Sequence, residues 1–171
     1  VPTVVPYNPN KAKIYCWYTT NAINWYSEGA RTYANIQFKL SSTTSTTTTG
    51  YPTRITSIAS VADFDMSNTQ SLSYCFQMFK SLQDISPLAV WDISNVTDLS
   101  GCFYYCINLQ DLTPLSSWNT SKVTTLASCF YYCWSYLNDL TPLRSWNVSN
   151  ATDFSGMFRH CNQLNILDGL D

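Results

Sequence analysis

The sequence predicts a repeat solenoid with a small N-terminal β cap, on three observations. First, one phrase is written four times. Trp91-Asp92-Ile93-Ser94-Asn95-Val96-Thr97-Asp98-Leu99 returns in closely related form from Trp118 to Leu126 and from Trp146 to Phe154, and a looser copy begins at Phe64, giving intervals of 27, 27 and 28 residues. A fixed period in this range marks a solenoid, whose coils bury their apolar sides only against neighbouring coils. Second, aligning the copies places apolar residues in columns. Third, the chain before the repeats carries a different, strand-like pattern.

In chain order, residues 1–12 hold Pro2, Pro6 and Pro9 and read as an extended lead-in. Ile14 to Tyr18 is β-branched and aromatic, and Ile36-Gln37-Phe38-Lys39-Leu40 alternates apolar with polar, so both read as strands. Residues 13–50 are therefore expected to form the β cap, since a bare first coil would expose its core. Within them, Ser41 to Gly50 is a Ser/Thr run. It reads either as an O-glycosylated linker or as a solvated loop or edge strand.

Residues 51–171 are expected to form about four coils. The columns are Thr69, Val96, Val123 and Ala151; Leu72, Leu99, Leu126 and Phe154; and Phe76, Phe103, Phe130 and Phe158. They continue with Leu82, Leu109, Leu137 and Leu164; Ile85, Leu112, Leu140 and Leu167; and Leu88, Leu115, Leu143 and Leu170. Leu109, Leu112 and Leu115 suit a short extended segment, interrupted by the missing donor of Pro114. Val96 to Cys106 has apolar residues three and four apart, which predicts a helical turn opposite, with Ser94-Asn95 as cap chemistry.

Composition narrows the function classes. The chain of 171 residues is 45% hydrophobic and 15% aromatic but only 12% charged, about half the usual charged share. A net charge of −2 with nine scattered basic residues offers no grip on nucleic acid. No apolar run approaches the roughly 18 residues that span a bilayer, so no membrane insertion is expected. Hydroxyls and amides keeping a surface wet suit an extracellular, cell-surface or virion-surface protein. The start at Val1-Pro2-Thr3 reads as a processed product or an excerpt. One His, one Glu and the lack of a Gly-rich phosphate loop or Gly-x-Ser-x-Gly motif argue against an enzyme, and no cofactor is expected.

The phrase from Trp146 to Leu164, Trp-Asn-Val-Ser-Asn-Ala-Thr-Asp-Phe-Ser-Gly-Met-Phe-Arg-His-Cys-Asn-Gln-Leu, resembles the BspA-like leucine-rich repeat of bacterial surface proteins. The resemblance covers about residues 58–171. It implies a leucine-rich-repeat-like solenoid of short strands and short helical turns on a bacterial or phage surface protein with an adhesive role, and it transfers no catalytic residues. Cys75, Cys102 and Cys129 stand where the family usually has Met, and Phe79 replaces the second Cys of the first copy.

Cysteine forms two columns, Cys75/Cys102/Cys129 and Cys106/Cys133/Cys161. Cross-coil disulfides are within reach of the ~4.8 Å strand spacing. The competing reading is buried thiols packed as small hydrophobes, favoured by Met157 and Phe79 in the same columns. The Cys-x-x-x-Cys spacing is not that of a zinc knuckle, so no metal is expected. Asp84, Asp111 and Asp139 align, as do Asp98 and Asp153, and turn chemistry accounts for both sets. The Trp91/Trp118/Trp146 column reads as structural.

The candidate ligand-binding residues are Tyr104, Tyr105, Tyr131, Tyr132, Trp134 and Tyr136, the last two in the insertion that lengthens the third coil. Ordinary half-buried packing and a recognition patch both remain open for them, since clustered Tyr and Trp supply rigid contact area to proteins and sugars. The expected partner is a protein or glycan. Two functions follow: a surface-exposed binding or adhesion module, and a structural component of a filament, capsid decoration or tail. The second draws on self-association through an open C-terminal coil at Leu164, Leu167 and Leu170.

Overall fold

The structure, a computed structural model, describes residues 58, 66 and 69–164 and the backbone of two strands. The lead-in at 1–12, the Ser/Thr run at 41–50, the copy opening at Phe64, and Leu167 and Leu170 lie outside the described residues. Tyr15–Tyr18 (β1) and Ile36–Lys39 (β2) pair antiparallel, with Tyr15 opposite Lys39 and Tyr18 opposite Ile36.

Across 69–164 the repeats stack in register. Parallel bridges join Ser71 to Asp98, Asp98 to Thr125 and Thr125 to Asp153. From each bridge a ladder extends along alternate residues. The N–H groups of Leu99, Gly101, Phe103 and Tyr105 donate to the carbonyls of Thr125, Ala127, Cys129 and Tyr131 at 2.8–3.1 Å. The residues between them close turns instead: Cys102, Tyr104 and Cys106 donate to Leu99, Gly101 and Phe103. Cross-repeat ladder and local turn thus interleave residue by residue, so the buried backbone keeps its partners.

This arrangement corrects two local expectations. Val96–Cys106 is not a helical turn. Gly101 and Tyr105 have φ of 59° and 65°, left-handed values that stop a helix every fourth residue. Two successive turns also direct apolar residues inward every three or four positions, which is why the spacing resembles helical periodicity. The Leu109–Leu115 side is not extended either. Ser86–Val90, Thr113–Ser117 and Thr141–Ser145 are 3-10 helices, each with Pro at its first positions. There the fixed φ of Pro favours helix and its absent N–H leaves no bond unmade. Asp84, Asp111 and Asp139 each accept the N–H of the first helical residue at 2.8–2.9 Å, orienting the entry.

The core is built from rows of identical rings. Phe76, Phe103, Phe130 and Phe158 stack with centroids 5.4, 5.4 and 5.6 Å apart. Trp118 and Trp146 stack beside them, and their indole N–H groups donate to the carbonyls of Leu88 and Leu115, in the 3-10 helix of the preceding repeat, at 2.9 Å. The tryptophan column therefore ties the helical side of one repeat to the core of the next.

One position in this core is mismatched. Thr69 is fully buried in the column of Val96 and Val123, and its hydroxyl has no hydrogen-bond partner. Thr69→Val keeps the shape and removes the desolvated hydroxyl. It is expected to raise stability by about 1 kcal/mol, read as a higher urea midpoint at unchanged slope.

Candidate functional site

The turn that sends Cys102, Phe103 and Cys106 inward leaves Tyr104 and Tyr105 half-buried on the outer surface, and the next repeat does the same with Tyr131 and Tyr132. Because the repeats are in register, equivalent rings meet face to face. Tyr104 and Tyr131 stack at 4.8 Å with 3° between planes, and Tyr105 and Tyr132 at 4.7 Å with 22°. The second column continues to His160, whose ring lies 4.3 Å from that of Tyr132.

Sequence reasoning missed four neighbours of these columns. Tyr74 packs against Tyr104 at 6.1 Å. It does so over Gly101, where a Cβ would collide with its ring. Lys80 sits 5.2 Å over the Tyr105 ring and Arg159 6.0 Å over Tyr131, both within cation–π range. His160 is the fourth. Arg159-His160 occupy the positions of the tyrosine pairs in the last described repeat, a signal the repeat itself carries, whereas nothing local points to Lys80 or Tyr74.

The other two candidates separate from this face. Trp134 and Tyr136 are exposed, at 45% and 52%, and neither joins the ring stacks of Tyr104/Tyr131 and Tyr105/Tyr132. Tyr136 instead lines a polar groove with Gln110, Asp111, Asn138 and Asp139. The reason is the extra residue between Cys133 and Leu137, which bulges the link and points it elsewhere; Ser135 N–H reaches back to Ile107 O at 3.3 Å.

Chemically, the tyrosine face is neutral along its length and cationic at its margins. Burial pushes the Tyr104 phenol above its ordinary value, and neighbouring phenols, Tyr131 first, add to the shift. The hydroxyl stays protonated and able both to donate and to accept. Ring faces are largely occupied by one another, so a ligand meets ring edges, hydroxyls and the two flanking cations.

The cysteines belong to the core. All six described cysteines are buried. Cys106, Cys133 and Cys161 donate S–H to the carbonyls of Phe76, Phe103 and Phe130 at 3.1, 3.3 and 3.0 Å. Burial pushes all three thiols up, Cys161 to about 11, and raises Cys106 and Cys133 well above their ordinary value. Iodoacetamide near pH ~8 is therefore expected to label Cys161 first and the other two only after denaturation, as read by mass spectrometry. No group of three or more His, Cys, Asp or Glu among the described residues is placed to hold a metal ion. Asp153 accepts the Ser155 N–H at 2.9 Å, and that bond, followed by the Ser155 hydroxyl, holds its carboxyl below the usual range. Turn chemistry thus occupies these aspartates.

Residues 48–167 match the model of a family described as Mycoplasma protein of unknown function, DUF285. Neither the curated proteins nor the solved structures offer a significant match. No helix among the described residues is long and apolar enough to cross a membrane.

Proposed function

Since the chain belongs to the DUF285 family, we propose that it is a repeat solenoid of the BspA-like leucine-rich type, acting as a non-enzymatic, surface-exposed binding or adhesion module. The tyrosine face supports this reading most directly. Rings held 4.7–4.8 Å apart by stacked repeats form a broad surface whose side chains have already lost their rotamer freedom, and two cations border it. Preordered aromatic and cationic side chains are what tight protein recognition draws on. The finer kinship rests on the phrase from Trp146 to Leu164, and it supports placement on a bacterial or phage surface.

The test is adhesion. Beads carrying the chain are expected to adhere to one of a panel of collagen, fibrinogen and mucin coatings. The Tyr104→Ala/Tyr131→Ala variant, checked as folded by near-UV circular dichroism, should bind about tenfold more weakly. No adhesion to any coating, or full adhesion by the folded variant, rejects the reading.

A structural, assembling role draws on a different observation. At the last described repeat, Leu126, Leu143, Trp146, Phe154, Met157 and Phe158 line an apolar cavity of about 500 Å³. The N–H groups of Phe154, Gly156, Phe158 and His160, equivalent to the ladder donors of earlier repeats, reach no acceptor among the described residues. Sedimentation over a hundredfold concentration range separates the two readings: ordered growth supports assembly, a constant monomer the binding module.

A further inference from the structure

The polar groove around Tyr136 carries a second site, distinct from the tyrosine columns. It arises because the repeat places the same dipeptide chemistry in two neighbouring turns. Gln110-Asp111 and Asn138-Asp139 occupy equivalent positions one repeat apart, and Ser135, Tyr136 and Gln163 complete the lining. The groove is open to solvent and holds about 470 Å³, within the range of small-ligand sites.

The two carboxylates are oriented before any ligand arrives. Asp111 and Asp139 each commit Oδ1 to a backbone N–H, that of Thr113 and of Thr141, at 2.8 Å. The Asp139 carboxyl also accepts from the Thr141 hydroxyl, so the freer of the two carboxylates is that of Asp111. The amides of Gln110, Asn138 and Gln163 make no side-chain hydrogen bond among the described residues, so each offers both a donor and an acceptor. Tyr136, exposed through the one-residue bulge, adds a single aromatic wall.

This set selects by exclusion as well as by fit. No Lys, Arg or His lines the groove, so it does not attract an anion. Only one aromatic residue and no aliphatic one is present, too little apolar surface for a hydrophobic peptide. The two carboxylates do not belong to any group of three metal-ligating side chains among the described residues. What remains complementary is a neutral ligand whose hydroxyls donate to carboxylates, exchange bonds with amides, and whose C–H face rests on a ring. We propose that this groove binds one pyranose unit of a neutral glycan. The two amide–carboxylate pairs engage neighbouring hydroxyls while Tyr136 covers one face of the sugar ring.

The experiment is saturation-transfer NMR on the full chain with EDTA present, using the methyl glycosides of glucose, galactose, mannose and N-acetylglucosamine as probes. At least one glycoside is expected to receive transfer, strongest on the ring protons of one face. Tyr136→Ala removes the wall, and Asp139→Asn keeps an acceptor for the Thr141 N–H while removing the charge. Each is expected to weaken binding about tenfold without altering the melting curve. Three results overturn the proposal: no transfer to any glycoside, transfer unchanged in both folded variants, or transfer to a neutral Ser/Thr-rich peptide with none to the sugars. Loss of transfer in Tyr136→Ala and Asp139→Asn assigns the sugar to the groove rather than to the tyrosine columns, so failure here leaves the adhesion reading standing, and failure of adhesion leaves this one.

Discussion

Phe103→Ala is expected to cost about 3–5 kcal/mol, the usual range for truncating a fully enclosed phenylalanine. Phe103 has no exposed surface, stacks between Phe76 and Phe130 at 5.4 Å on either side, and lies against Trp118 at 6.2 Å. Removing it opens a void between two rows of rings that the ladder holds in register, so the neighbours cannot close on it. For a chain of this size the loss corresponds to a fall in melting temperature of roughly 6–20 °C. Phe158 provides the control, because it occupies the same column but is only partly buried at the last described repeat. Phe158→Ala should cost less than half as much. Equal costs at the two positions would show that stability is not carried by nearest-neighbour stacking.

Gly101→Ala is expected to be the second most damaging single change, through two separable effects. Its φ of 59° places an alanine in the left-handed region, at a cost of about 1 kcal/mol. The new Cβ would also enter the space of the Tyr74 ring, which is packed against Tyr104 and must move. The two terms together should reach about 2–3 kcal/mol. The equivalent position in the next repeat is Ser128 at φ 56°, so the backbone conformation itself tolerates a side chain. A double-mutant cycle separates the terms: in a Tyr74→Ala background, Gly101→Ala should cost only the conformational part. A coupling energy near zero between the two sites would show that the collision is not what makes glycine necessary.

The apolar columns are readable along the chain because each is a repeated local requirement. Leu99, Phe103, Leu109, Leu112 and Leu115 are all buried, as are their equivalents Leu126, Phe130, Leu137, Leu140 and Leu143. Phe154 departs from its column, at 45% exposed, in the last described repeat. The turn role of the aspartates is readable for the same local reason: an Asp two residues before a free N–H needs no distant partner. The conformation of the turns is not. Met78, Tyr105, Tyr132 and His160 all have positive φ without being glycine. At Met78, Tyr105 and Tyr132 the strain is offset by ladder bonds to the next repeat, to Tyr104, Tyr131 and Arg159 at 2.8–2.9 Å, which local propensity does not register.

The same division holds for the candidate sites. Sequence alone determined the period, the residues that recur inward, the absence of a basic stripe, and the four tyrosines that share two columns. Only the tertiary structure decided that those tyrosines stack face to face, that Tyr74, Lys80, Arg159 and His160 join them, and that Trp134 and Tyr136 turn away. Inward-facing positions follow from repeated local chemistry, which every copy of the phrase states again. Contacts between repeats depend on register and on a single inserted residue, and those act across about 27 residues of chain.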